Sequence, residues 1–159
     1  MDHPALAIER RDIADPALAA LTADAVAELD ARYPEDAHEG RPLDPGAEFL
    51  VAVDSEGTLL GCGALARLDA DGLVEIKRMY VPPAGRGRGV ARQLLVSLEE
   101  LAVAWGARRI QLGTGTRQPE AIGLYEKNGY VQIPVYGIYT SNPLCVCFAK
   151  DLVEDTDRS

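Results

Sequence analysis

Three glycines fall within five residues, Gly85, Gly87 and Gly89, between a strand-like run and a helix-like run. This segment constrains the fold more than any other. Before it, Leu73 to Val81 reads as a strand, which Pro82 and Pro83 stop. After it, Arg88 to Trp105 reads as a long helix, with Val90, Leu94, Leu95, Leu98, Leu101 and Ala102 on one apolar stripe. Glycines let a backbone turn sharply and come close to a ligand. The start of the helix leaves several amides without intrahelical partners, and its macrodipole favours an anion there. Arg86, Arg88 and Arg92 add forked donors suited to phosphate oxygens. The unit therefore reads as a pyrophosphate cradle or, more plainly, as a tight turn with solvated arginines.

Rival phosphate loops fit badly. A P-loop needs G-x-x-x-x-G-K-S/T, and this loop has no lysine. A dinucleotide fingerprint counted from Gly85 or Gly87 ends on Val90 or Arg92, where Gly or Ala is required. The Arg-Gly repeat could suggest RNA binding, but it is short and built into a helix start. The chain is also acidic, with a formal net charge of -9, which disfavours nucleic acid and anionic membranes as partners.

The rest of the chain supplies a scaffold. Ala5 to Arg10 reads as a strand, and Asp15-Pro16 as the cap and first turn of a helix running to about Arg32, with Leu18, Leu21, Val26 and Leu29 inward. Tyr33 to Gly46 reads as a loop with room for a short helix. Strands are expected at Glu48 to Val53, Thr58 to Leu68, Arg108 to Leu112, Tyr130 to Ile133 and Leu144 to Lys150, with a short helix over Pro119 to Asn128 stopped by Gly129. Hairpins come first, then alternating strands and helices, so the fold class is α/β with a mixed sheet. A length of 159 residues fits one domain, over 1–152, with a polar and frayed tail over 153–159. The three cysteines, Cys62, Cys145 and Cys147, point to reduced thiols and a cytoplasmic protein, and no signal-like or membrane-length apolar run is seen. Cys145 and Cys147 should share a strand face as small buried side chains.

Two motifs at this spacing resemble the GNAT family of N-acetyltransferases. Arg86-x-x-Gly89-x-Ala91 matches its Q/R-x-x-G-x-G/A signature, preceded by Val81-x-Pro83. Ala121-x-x-Leu124-Tyr125-x-x-x-Gly129-Tyr130 matches its A-x-x-L-Y-x-x-x-G-F/Y segment. The resemblance spans about Phe49 to Leu152. It implies a mixed, mostly antiparallel sheet with helices on both faces and a central parallel pair that splays to admit acyl-CoA. Acetyl-CoA is the implied donor. Its pantetheine would meet backbone groups of Met79, Tyr80 and Val81, and its pyrophosphate the amides of Arg86, Gly87, Arg88, Gly89, Val90 and Ala91. Gln118 stands where the family usually has an asparagine on the cofactor. Tyr125 aligns with the tyrosine that protonates the departing thiolate, or it is a core tyrosine anchoring its helix.

The amine acceptor needs a base, because an ammonium with pKa about 10.4 must lose a proton before it attacks. Glu75 is the candidate, on the strand where family members often carry a glutamate. Alternation would place Leu73, Glu75, Lys77 and Met79 on one face, where Glu75 could instead pair with Lys77. Glu48 and Asp54 are weaker candidates. His3 and His38 lie outside any motif, so no histidine base and no metal are expected. The acceptor site falls to the segments 33–46, 67–72 and 134–143, where Tyr136 and Tyr139 either line a pocket or cap the sheet edge. The expected activity is acetyl transfer to a primary amine of a small molecule, peptide or protein. The alternative is an acyl-CoA-binding regulatory module without turnover. A homodimer is open, as many relatives form one.

Overall fold

The computed structural model describes residues 6–34, 46–68 and 72–152. Seven strands form a sheet in the order β1-β2-β3-β4-β5-β7-β6. They are β1 (Ala7–Arg11), β2 (Glu48–Val53), β3 (Leu59–Arg67), β4 (Leu73–Tyr80), β5 (Arg109–Gly115), β6 (Val131–Ile133) and β7 (Cys145–Asp151). The helices are α1 (Pro16–Arg32), α2 (Val90–Ala104) and α3 (Pro119–Lys127). The contacts divide the chain into two compact units, Met1–Ala66 with Arg78–Leu98, and Arg67–Lys77 with Glu99–Ser159.

In the first unit, β1, β2 and β3 pair antiparallel. The side chain of Asp15 accepts from the Leu18 amide at 3.0 Å, so the aspartate that opens α1 satisfies one of its orphan donors. Of the four residues expected inward on α1, Leu18 and Leu21 are buried, while Val26 and Leu29 are half-buried. Leu18 and Leu21 pack with Phe49, Val51, Val53, Cys62 and Ala64. Removing side chains like these from water contributes roughly 1.5–3 kcal/mol each. Burial pushes the Cys62 thiol up to about 12, which keeps it protonated and inert.

The other face of β3 meets α2 across two glycines. A Cβ on Gly61 would stand 2.8 Å from Val90 Cγ1 and 2.9 Å from Leu94 Cδ1, and one on Gly63 would stand 2.9 Å from Leu98 Cδ1. Glycine here lets a helix lie directly on strand backbone. All six residues of the predicted α2 stripe are buried. The helix begins two residues later than expected, because Gly87 (φ 76°) and Gly89 (φ 74°) are left-handed and hold residues 86–89 in a turn.

In the second unit β4 and β5 run parallel, from Leu73↔Arg109 to Glu75↔Gln111. The ladder extends no further, although β5 continues to Gly115 against β7. β5 is longer than expected: antiparallel pairing with Cys145–Asp151 carries it across Gly113 and Gly115, which local propensity alone would exclude. Gly129 (φ 92°) follows α3 and ends it, as expected. Between β6 and β7 a single-turn 3-10 helix, Gly137–Ser141, stands where only a loop was expected.

One expectation on β4 is corrected. Arg78 has φ 58°, a left-handed conformation that interrupts the two-residue repeat. Alternation from Leu73 through Glu75 to Lys77 therefore does not extend to Met79. The cysteines are all free, with Cys62 and Cys147 buried and Cys145 half-buried. Residues 69–71 of the turn expected over Asp69 to Gly72, residues 35–45 of the loop expected over Tyr33 to Gly46 with its room for a short helix, and the tail 153–159 lie outside the described residues.

Candidate functional site

The cofactor candidates other than Gln118 and Tyr125 belong to the first unit. Pro83–Gly85 forms a 3-10 turn, the chain turns again over residues 86–89, and α2 starts at Val90. The Arg86 amide bonds the Pro83 carbonyl at 3.3 Å, and the Gln93 amide bonds the Gly89 carbonyl at 3.1 Å as the helix begins. A helix start of this form directs its earlier amides outward. A Cβ on Gly87 or Gly89 would meet nothing within 4 Å, so space is open beside both. Gly85 differs: a Cβ there would run into the Leu60 carbonyl, so that glycine serves packing.

Arg86 does not extend away from the protein. Its Nε donates to the Val81 carbonyl at 3.0 Å, and its terminal nitrogen donates to both Glu28 oxygens at 2.7 and 2.8 Å. Glu28 also lies 3.7 Å from Arg32 one turn along α1. The motif arginine thus ties the loop to α1. Arg88 reaches the Ala84 carbonyl at 3.4 Å. Tyr80 packs against the α1 cluster, and burial followed by the nearby Glu28 charge raises its phenol above the ordinary value. Met79 Sδ lies where a Cβ on Gly63 would be 3.0 Å away.

The catalytic candidates belong to the second unit. Gln118 stands at the N-cap of α3 without using its side chain as a cap, which leaves that amide available. Tyr125 is buried, with its ring 5.6 Å from Tyr130 and 6.4 Å from Phe148. Burial pushes its phenol well above the usual range, so it stays protonated at neutral pH. Tyr130 donates to Glu99 at 2.8 Å, and Lys150 reaches the same carboxylate at 3.2 Å. That trio ties α2 to β7 and supports the ring stack that carries Tyr125.

Glu75 is 4% exposed, which few carboxylates are. Its Oε2 accepts from Tyr136 and from Tyr139, each at 2.9 Å, and its Oε1 lies 3.7 Å from Lys77 Nζ. The Lys77 pairing weighed from sequence is therefore present, but around a buried carboxylate. The two tyrosine rings meet edge-on at 5.3 Å. Burial, then the Glu75 charge, holds the Tyr136 phenol far above its ordinary value, so it remains a donor.

Gln111, opposite Glu75 in the ladder, is buried and lies beside the Tyr136 phenol. Sequence reading passed over Gln111, though a polar residue between Ile110 and Leu112 was the available signal. Gly113 was missed too: a Cβ there would stand 2.5 Å from the Tyr139 ring. The weaker base candidates are otherwise engaged. Glu48 pairs with Arg10 at 3.2 Å, and Asp54 accepts from the amides of Glu56 and Thr58 in its turn. Among the described residues no acidic, histidine or cysteine cluster fits a metal ion, and no helix is long and apolar enough to cross a membrane.

Residues 15–130 match the model of the acetyltransferase (GNAT) family. An IAA acetyltransferase of Azospirillum brasilense is 41% identical over 108 residues, which are 68% of this chain and 70% of that protein. A Klebsiella pneumoniae structure assigned as an acyl-CoA N-acyltransferase superposes with a TM-score of 0.77 at 31% identity, covering 93% of this chain and 98% of the other. A GNAT acetyltransferase from Elizabethkingia anophelis, with acetyl-CoA bound, has the same fold at a TM-score of 0.69 and 19% identity, over 92% and 98% of the two chains. With the family model covering more than half the chain and the mixed sheet shared with these structures, the protein belongs to the GNAT family of acetyltransferases, and its class of chemistry is acyl transfer.

Proposed function

We propose that the protein transfers an acetyl group from acetyl-CoA to a primary amine. The observation that carries this is the start of α2: two left-handed glycines with open space beside them, followed by helix amides that can receive a pyrophosphate. Arg86 to Ala91 would hold those phosphates, the backbone of Met79, Tyr80 and Val81 the pantetheine, and Gln118 the donor through its side-chain amide. The acetyl-CoA bound to the Elizabethkingia anophelis protein, which shares this fold, supports such a donor.

The chemistry falls to Glu75 and Tyr125. Glu75 takes a proton from the acceptor ammonium. The freed amine attacks the thioester carbonyl, forming the C–N bond as the C–S bond breaks, and Tyr125 gives its proton to the departing thiolate. The phenol recovers a proton from solvent, and Glu75 releases one. A buried carboxylate and a buried neutral phenol suit these opposite tasks. Residues 1–152 act as one catalytic domain, in the cytoplasm, without a metal, nucleic acid or membrane. The net charge of -9 suits a cationic acceptor. Relatives named for acetyl transfer favour turnover over a binding-only module.

The test is acetyl-CoA turnover over a panel of primary amines, read by release of free thiol. Thiol release that depends on the amine is the expected result. Tight acetyl-CoA binding with no amine-dependent release from any of them would overturn the proposal.

A further inference from the structure

Glu75 receives two phenol hydrogens on the same oxygen. A carboxylate oxygen offers about two lone-pair positions, so the Tyr136 and Tyr139 bonds fill Oε2. Among the described residues, Oε1 has Lys77 as its charged partner, at 3.7 Å, beyond ordinary hydrogen-bond length. We propose that Tyr136 and Tyr139 are positioning residues that occupy Oε2 and leave Oε1 as the atom that takes the acceptor's proton. This rests on Glu75 being the base.

The surroundings are arranged for that division. Gln111 on β5, opposite Glu75 in the ladder, lies beside the Tyr136 phenol. Gly113 on the same strand lacks the Cβ that would displace the Tyr139 ring. The two rings brace each other edge-on. The charged or titratable groups facing the carboxylate are Lys77 from β4, Tyr136 and Tyr139 from the segment before β7, and Cys147 from β7. Among the described residues, the phenols are the side chains that donate to it at hydrogen-bond distance, and both hold it in one rotamer.

The test follows the Glu75 carboxyl carbon by NMR at fixed pH, alongside steady-state kinetics. Tyr136→Phe and Tyr139→Phe keep the rings and lose one donor each, so each moves the Glu75 carboxyl resonance and lowers kcat/KM about tenfold, while the KM for acetyl-CoA stays put. Gly113→Ala moves the Tyr139 ring aside and produces the Tyr139→Phe changes without touching either tyrosine or Glu75. A carboxyl resonance unchanged in all three variants overturns the proposal. Glu75→Gln separates it from the parent reading. If that variant keeps the wild-type pH–rate profile while the Phe variants still move the resonance, the base assignment fails and the phenol clamp stands. If it flattens the acidic limb while the Phe variants move nothing, the base stands and the clamp fails.

Discussion

Two glutamates each accept two short hydrogen bonds in opposite surroundings. Glu28, on α1, grips the guanidinium of Arg86 with both oxygens at 2.7 and 2.8 Å, and the pair is 31% and 45% exposed. Glu75, on β4, is buried and is held by two neutral phenols and a more distant ammonium. The first has the shorter bonds and the formal opposite charge, yet water screens it, and exposed pairs contribute about 0–1 kcal/mol. The second has given up its hydration, so its few donors decide where its charge and its open lone pairs lie. Bond length alone ranks these two sites in the wrong order of consequence.

The largest effect that would break this comparison is on turnover. Glu75→Gln keeps the shape and loses the base, so kcat/KM should fall about 10²–10⁴-fold and the acidic limb of the pH–rate profile should flatten. The sign follows from the role: a base works once deprotonated, so wild-type activity rises with pH through that limb. Tyr125→Phe should come next, near the low end of the same range at about a hundredfold in kcat, with acetyl-CoA affinity unchanged by calorimetry. A wild-type rate would return Tyr125 to the role of core tyrosine.

Gly89→Val probes the loop that Glu28 braces. Left-handed backbone costs a non-glycine residue about 1–2 kcal/mol, so acetyl-CoA affinity should drop by about tenfold as the amides turn away. Unchanged affinity would mean the helix start does not hold the phosphates. The smallest effect is reserved for Glu28→Gln, which should change unfolding free energy by less than about 1 kcal/mol in a denaturant titration. A loss comparable with that of a core truncation would show that the Arg86 tie holds α1 in place and would erase the contrast with Glu75.

The loop, the long helix and the two hairpins were legible because each depends on neighbours in sequence. Gly87 and Gly89 turn the chain, Asp15 and Pro16 start a helix, and the α2 stripe repeats at helical spacing. What stayed hidden depends on pairing across long separations. Gly113 and Gly115 look like strand breakers until β7 pairs with them. Arg78 looks like an ordinary strand residue, and only the folded backbone shows it left-handed. Tyr136 and Tyr139 were visible as aromatic residues in a loop, but their partner lies more than sixty positions earlier in the chain.

By itself, then, the sequence determined the kind of protein: a glycine loop opening a helix and a second motif over Ala121 to Tyr130 suffice for the family, because both encode local backbone geometry. Tertiary structure alone decided how the carboxylate is held. Spacing along β4 leaves Glu75 free to be a solvated partner of Lys77 or a base, since alternation assigns a face but not an environment. Burial, the 3-10 turn that presents Tyr136 and Tyr139, and the missing side chain at Gly113 settle that environment, and none of them is written near residue 75.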